Sequence, residues 1–136
     1  MRTLYTIGYG NRKPEELINI LKDAGIQVVV DVRRRFSKSW CRKYWQVNIK
    51  DWLEQSGFKH IYGDEFGNDC DSLEEYREYK LEFRRMEFEW MATDIRDKYG
   101  ITALLCAEID PIKCHRSILA EELIKLLGSD WNVKHL

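Results

Sequence analysis

Residues 27–32 read Gln-Val-Val-Val-Asp-Val, a continuous β-branched run. A strand of this composition is typically buried on both faces, as strands are inside a parallel sheet covered by helices. The residues before it supply the crossover that such a sheet needs. Thr3–Ile7 is a first short strand, ending at Gly8-Tyr9-Gly10. Pro14 suits the first turn of a helix, and Glu15 and Glu16 suit its positive end. Leu17, Ile20, Leu21 and Ala24 recur at helical spacing, and Gly25 stops the helix. Strand, helix, strand in this order predicts a right-handed βαβ unit and a parallel sheet.

The pattern continues. A helix is expected over Val47–Gln55, ended by Gly57, and a third strand over Phe58–Tyr62. Residues 63–71 form a loop holding two glycines, Asp64, Glu65 and Asp69. Ser72-Leu73-Glu74-Glu75 has the form of a capping box, and the helix it opens is expected to run to Lys98. Tyr76, Tyr79, Phe83, Met86 and Trp90 form one apolar stripe on it, and Phe88, Met91 and Ile95 form a second. The first stripe is read as core, with the face of a homodimer as second choice. Ile101–Ala107 is a fourth strand. The last helix opens at or near Cys114-His115-Arg116, carries Ile118, Leu119, Leu123, Leu126 and Leu127, and closes at Gly128. Asn132–His135 adds a short edge strand. The expected fold is α/β: a single domain over residues 1–136, built on a mostly parallel sheet of four to five strands with helices on both faces.

Composition narrows the class. A chain of 136 residues, 44% hydrophobic and 33% charged, can bury one core without staples. No apolar run approaches the ~20 residues of a membrane helix, and the start does not read as a signal peptide. The expectation is a soluble, cytoplasmic protein with no membrane partner and with Cys41, Cys70, Cys106 and Cys114 reduced. A net charge of −1 hides segregation. Residues 31–50 hold seven basic side chains against one acid, and residues 69–97 hold ten acids against five bases.

In open α/β sheets, ligands sit beyond the carboxyl ends of the strands near a switch in strand order. If the strands are parallel, Gly8-Tyr9-Gly10, the segment Asp31 to Arg34, and Cys106 to Glu108 fall on one rim, and the turn at Asp110-Pro111 returns Cys114-His115-Arg116 to it. The motifs Thr6-Ile7-Gly8, Asp31-Val32-Arg33, Cys106-Ala107-Glu108 and Cys114-His115-Arg116, in this order and spacing, resemble the domain of unknown function 488 (DUF488). Tyr62 followed by Glu65-Phe66-Gly67 is similar to that family's tyrosine and glutamate-leucine-glycine turn. The resemblance spans nearly the whole chain. It implies an α/β fold with a polar pocket at the strand ends and implies no established reaction. Two positions depart from the family. Tyr9 stands where a histidine is frequent, which argues against acid–base chemistry there near neutral pH, and Arg35-Phe36-Ser37 lacks the usual proline.

Candidate catalytic residues are Glu108 as acid or base, His115 as a second proton carrier, and Cys106 as a nucleophile or a buried structural thiol. The common phosphatase loop is not present, since no arginine lies six residues after any cysteine. Candidate substrate-binding residues are Tyr9, Arg33, Glu65, Cys114 and Arg116, with Arg33 and Arg116 holding an anion at a helix start. No metal ligand is assigned. Cys106, Glu108, Cys114 and His115 are zinc-ligand types, but adjacent Cys-His ligands are geometrically awkward. The sequence does not identify a cofactor. The first functional reading is an enzyme for a phosphate-bearing or nucleic-acid-related substrate. The second is a non-catalytic nucleotide or nucleic-acid module using Arg33, Arg34, Arg35, Lys38, Arg42 and Lys43, with Phe36, Trp40, Tyr44 or Trp45 stacking on bases. A pI near 6.3 argues against a dedicated nucleic-acid binder. A small zinc protein is the weakest reading.

Overall fold

The computed structural model describes residues 1–34 and 37–136. Five strands, β1 (Arg2–Gly8), β2 (Val28–Asp31), β3 (Lys59–Tyr62), β4 (Thr102–Cys106) and β5 (Trp131–His135), form one sheet in the order β3-β2-β4-β1-β5. Every neighbouring pair is parallel. The valine run behaves as its composition requires: β2 is buried at every residue and lies between β3 and β4.

Side chains alternate across the strands and divide the core into two layers. Val28, Val30, Leu104 and Cys106 face one side, where they pack with α5 (Arg85–Asp97) and α6 (His115–Leu127). Val29, Ala103, Leu105 and Ile7 face the other, with α1 (Pro14–Asp23) and α2 (Gln46–Gln55). The connections explain the division. From β1 through α1, β2 and α2 to β3 the chain moves towards one edge of the sheet, and from β3 through β4 and α6 to β5 it moves back across. Right-handed crossovers in opposite directions put their helices on opposite faces. No helix among the described residues is long and apolar enough to cross a membrane.

The segment expected as one helix from Ser72 to Lys98 is interrupted. It comprises α3 (Leu73–Glu75), a π-helical stretch (Tyr76–Lys80), α4 (Leu81–Phe83), a turn at Arg84, and α5. Ser72 caps it as expected, accepting the Glu75 N–H at 3.1 Å, but the Glu75 carboxylate takes the Asp71 N–H instead of that of Ser72. The interruption corrects the reading of the apolar stripes. Tyr79, Phe83, Met86 and Trp90 are 67%, 77%, 60% and 61% exposed, so of the first stripe only Tyr76 is core. The buried line is Tyr76, Leu81, Phe88, Met91, Ala92 and Ile95. Its first step is five residues, the spacing of a π turn, which shifts the inward face by one position.

Candidate functional site

Parallel register sets the strand ends level. Gly8 pairs with Cys106, Asp31 with Leu105, and the Val32 N–H continues the ladder to the Leu105 carbonyl at 3.0 Å. Beyond this rim β1 and β2 lead to helices on one face, while β4 leads to α6 on the other. A crevice opens above β4 at this divergence, as in other open α/β sheets.

The loop from β4 to α6 is held from beneath. Arg116 is fully buried and donates to the carbonyl of Glu108, to the carbonyl of Ile109 at 3.1 Å, and to Thr6 Oγ1 at 3.3 Å. Gly8 makes the approach possible, since a Cβ there would lie 1.8 Å from the Glu108 carbonyl oxygen. Thr6-Ile7-Gly8 and Arg116 thus shape the loop. The expectation that Arg116 holds an anion required a guanidinium facing the crevice; its guanidinium is instead spent on these internal acceptors. Glu108 is exposed, and its carboxylate accepts the Asp110 N–H at 3.2 Å.

Adjacent Cys114 and His115 do converge, because the backbone changes form between them. Cys114 is the extended N-cap of α6 (φ −119°, ψ 139°), and His115 is the first helical residue. Cys114 Sγ lies 3.8 Å and Cys106 Sγ 3.9 Å from His115 Nδ1. All three side chains are buried. His115 Nε2 lies 2.8 Å from the Val32 carbonyl. A carbonyl only accepts, so Nε2 carries the hydrogen and the Nδ1 lone pair faces the sulfurs. Tyr76 stacks edge-on against the imidazole, with ring centroids 5.0 Å apart, and donates its hydroxyl to the Phe66 carbonyl at 2.7 Å. The two thiols behave as one unit. A hydrogen bond from Cys106, together with the Arg116 N–H, holds the Cys114 thiol well below its usual range against the push of burial. The same hydrogen bond, reinforced by burial, pushes the Cys106 thiol up.

Cys106 and His115 reach a cleft of about 170 Å³ whose wall also includes Tyr9, Arg33, Arg34, Ser37, Lys38, Asn68 and Ala107. Arg33 is buried and fully engaged: Nε and Nη2 pair with Asp31 at 2.9 and 2.7 Å, and Nη1 donates to the Tyr9 hydroxyl at 3.2 Å and to the Tyr44 carbonyl. Tyr9 in turn stacks on Tyr44, 4.1 Å between centroids. The exposed cations of this wall are Arg34 and Lys38. A larger groove of about 540 Å³ runs along Leu73, Arg77, Pro111, Ile112 and Glu121. Its lining holds no thiol and none of the rim motifs, whereas the smaller cleft holds residues from three of them.

Of the residues singled out from sequence, Tyr9, Arg33, Cys106 and His115 meet at this cleft, with Cys114 directly behind them. Glu65 borders a neighbouring cleft with Arg34, Asp64, Gly67, Asp69, Lys80 and Arg84, and burial raises its carboxyl pKa. Arg35 and Phe36 lie outside the described residues. Lys38 and Arg42 stand over the Trp45 ring at 5.1 and 5.8 Å, Lys43 pairs loosely with Glu15, and Tyr44 is buried. Sequence reasoning missed Asn68, Ser37, the Val32 carbonyl and Tyr76. The glycine-bounded loop 63–71 was the one available signal for Asn68.

Comparison with known proteins gives the family and the fold. A sequence model for the family described as "Domain of unknown function DUF488" matches residues 13–123. No curated protein matches the chain. A crystal structure from Shewanella putrefaciens CN-32, described as a "Putative phosphatase (DUF442)", shares the fold at a TM-score of 0.50 and 20% identity. The likeness covers 87% of this chain and 62% of that one, so this chain spans less than two thirds of its neighbour's length.

Proposed function

This chain belongs to the DUF488 family, and we propose that it is an enzyme acting on a phosphate-bearing substrate bound in the cleft at the carboxyl ends of the strands. One observation carries the reading: Arg34 and Lys38 stand at the mouth of a crevice whose floor is Cys106 and His115. The two cations would hold the anionic group as a guanidinium fork and a point charge. The thiol–imidazole floor would face the reacting atoms. Tyr9 would close one side of the site, with its ring held by Tyr44 and its hydroxyl by Arg33. The description of the fold neighbour as a phosphatase points the same way. Its chemistry is not carried over, because no cysteine here has an arginine six residues later.

The test is a panel of phosphomonoesters, nucleotides and short oligonucleotides, followed by phosphate release and product mass. Arg34→Ala/Lys38→Ala should raise KM about tenfold or more with a smaller effect on kcat, the signature of lost ground-state binding. If no compound is bound or turned over at low salt, the reading fails.

A second reading, a nucleic-acid module without chemistry, rests on Trp40, which is 62% exposed beside the basic stretch. Its indole donates to the Gly10 carbonyl at 2.7 Å, which holds the ring at the rim. Salt-sensitive oligonucleotide binding that Trp40→Ala abolishes, with no product formed, would select this reading.

A further inference from the structure

The geometry points to a three-ligand zinc site formed by Cys106 Sγ, Cys114 Sγ and His115 Nδ1, with its fourth position open to the strand-end cleft. These three ligand atoms lie within 4.8 Å of one another, and all three residues are buried. Tetrahedral bonds of about 2.3 Å to sulfur and about 2.0 Å to nitrogen put neighbouring ligand atoms roughly 3.5–3.8 Å apart. The sulfur-to-nitrogen separations of 3.8 and 3.9 Å need to contract by only a few tenths of an ångström.

The surroundings of the imidazole support a ligand role. A metal-bound histidine characteristically gives its other N–H to a carbonyl or carboxylate, which fixes the tautomer and the ring plane. His115 Nε2 makes this contact with the Val32 carbonyl, and Tyr76 packs against the ring. The Nδ1 lone pair is therefore directed at two sulfurs, where thiols offer only weak donors. A cation between them satisfies the lone pair and both sulfurs at once. Both sulfurs bind as thiolates, any remaining thiol proton passing to solvent, so two negative charges balance the divalent ion.

Ligand type and number narrow the site further. Two thiolates and an imidazole suit zinc among the common divalent ions. Three protein ligands leave a tetrahedral position for water or for an oxygen of a bound group, which is the arrangement of catalytic zinc. Here that position lies on the side where Cys106 and His115 reach the cleft, near Arg34 and Lys38. The awkwardness of adjacent Cys-His ligands is removed by the change from extended to helical backbone between Cys114 and His115.

The test needs no substrate, so its outcome is separate from that of the phosphate reading. Full-length protein purified under reducing conditions should contain about one zinc per chain by elemental mass spectrometry. After stripping, Co²⁺ should give a thiolate-to-cobalt charge-transfer band and the strong visible bands of a four-coordinate ion. Cys106→Ser, Cys114→Ser and His115→Gln should each lose the cobalt spectrum and weaken zinc binding about 100-fold or more. Cys41→Ser and Cys70→Ser should keep both. Circular dichroism shows whether each variant is folded, and the reduced wild-type chain decides the matter if one is not. A folded, reduced wild-type protein that takes up neither zinc nor cobalt overturns the site. A cobalt spectrum that survives in both Cys106→Ser and Cys114→Ser overturns it too. A chain that binds zinc but processes no phosphate ester keeps the site and loses the preceding reading.

Discussion

Asp31 and Arg33, two residues apart at the end of β2, form a bidentate ion pair shielded from solvent, with side chains 0% and 4% exposed. The pair holds the guanidinium that also fixes Tyr9 and the Tyr44 carbonyl. Removing one partner of a buried pair leaves an uncompensated charge. Asp31→Asn should therefore cost about 3–5 kcal/mol. Urea denaturation checks this. A loss below about 1 kcal/mol would mean that water reaches Arg33.

Gly8 faces the carbonyl of Glu108 closely enough that a methyl group overlaps it. Because Arg116 also holds that carbonyl, the loop cannot simply swing away. Gly8→Ala should cost roughly 3 kcal/mol, at the upper end of ordinary overpacking. Thermal and urea unfolding against wild type measure it; unchanged stability would show that the loop can move.

His60 is 6% exposed, and neither ring nitrogen has a hydrogen-bond partner among the described residues. Burial lowers its pKa from 6.5, against the pull of Asp31 and Glu54 and with help from Lys50 and Arg33. The unfolded chain then binds the proton first on acidification. Stability is full above about pH 6.5 and falls as the pH drops from there towards the lowered folded value. His60→Leu should flatten this limb. Urea midpoints at about pH 7.5 and about pH 5.5 for both proteins give the comparison, and parallel slopes would remove His60 as the cause.

The buried and exposed faces of the α4–α5 segment should respond differently. Phe88→Ala, which removes a core side chain, should cost about 3–5 kcal/mol. Phe83→Ser and Trp90→Gln, on the exposed stripe, should each stay within about 0.5 kcal/mol. Denaturation of the three variants at one protein concentration tests the contrast. A large loss at Phe83 or Trp90 would indicate that something covers the stripe in solution.

The parallel sheet was legible because the valine run and the alternation of strands and helices are local signals that packing does not override. The convergence of Tyr9, Arg33, Cys106 and His115 followed from strand direction alone. The exposed stripe was not legible, since Tyr76 to Trp90 keeps helical spacing and nothing in it marks the π turn that rotates the inward face. Arg116 was misread because its residue type fits both an anion site and a set of carbonyls, and the choice depends on how closely Gly8 lets Glu108 approach. The Cys114–His115 convergence was hidden for a similar reason: it depends on one pair of backbone angles at a helix boundary.

Cys106, Cys114 and His115 all come from a single ten-residue span braced by Arg116, whereas the opening above them is assembled from separate segments, at Tyr9, at Arg34 with Ser37 and Lys38, and at Asn68. In the proposed enzyme, what reacts and what gains admission are consequently written in different parts of the chain. Exchanging Ser37, Lys38 or Asn68 should then retune which molecules enter while the sulfurs keep their places, so that one floor would serve several doorways.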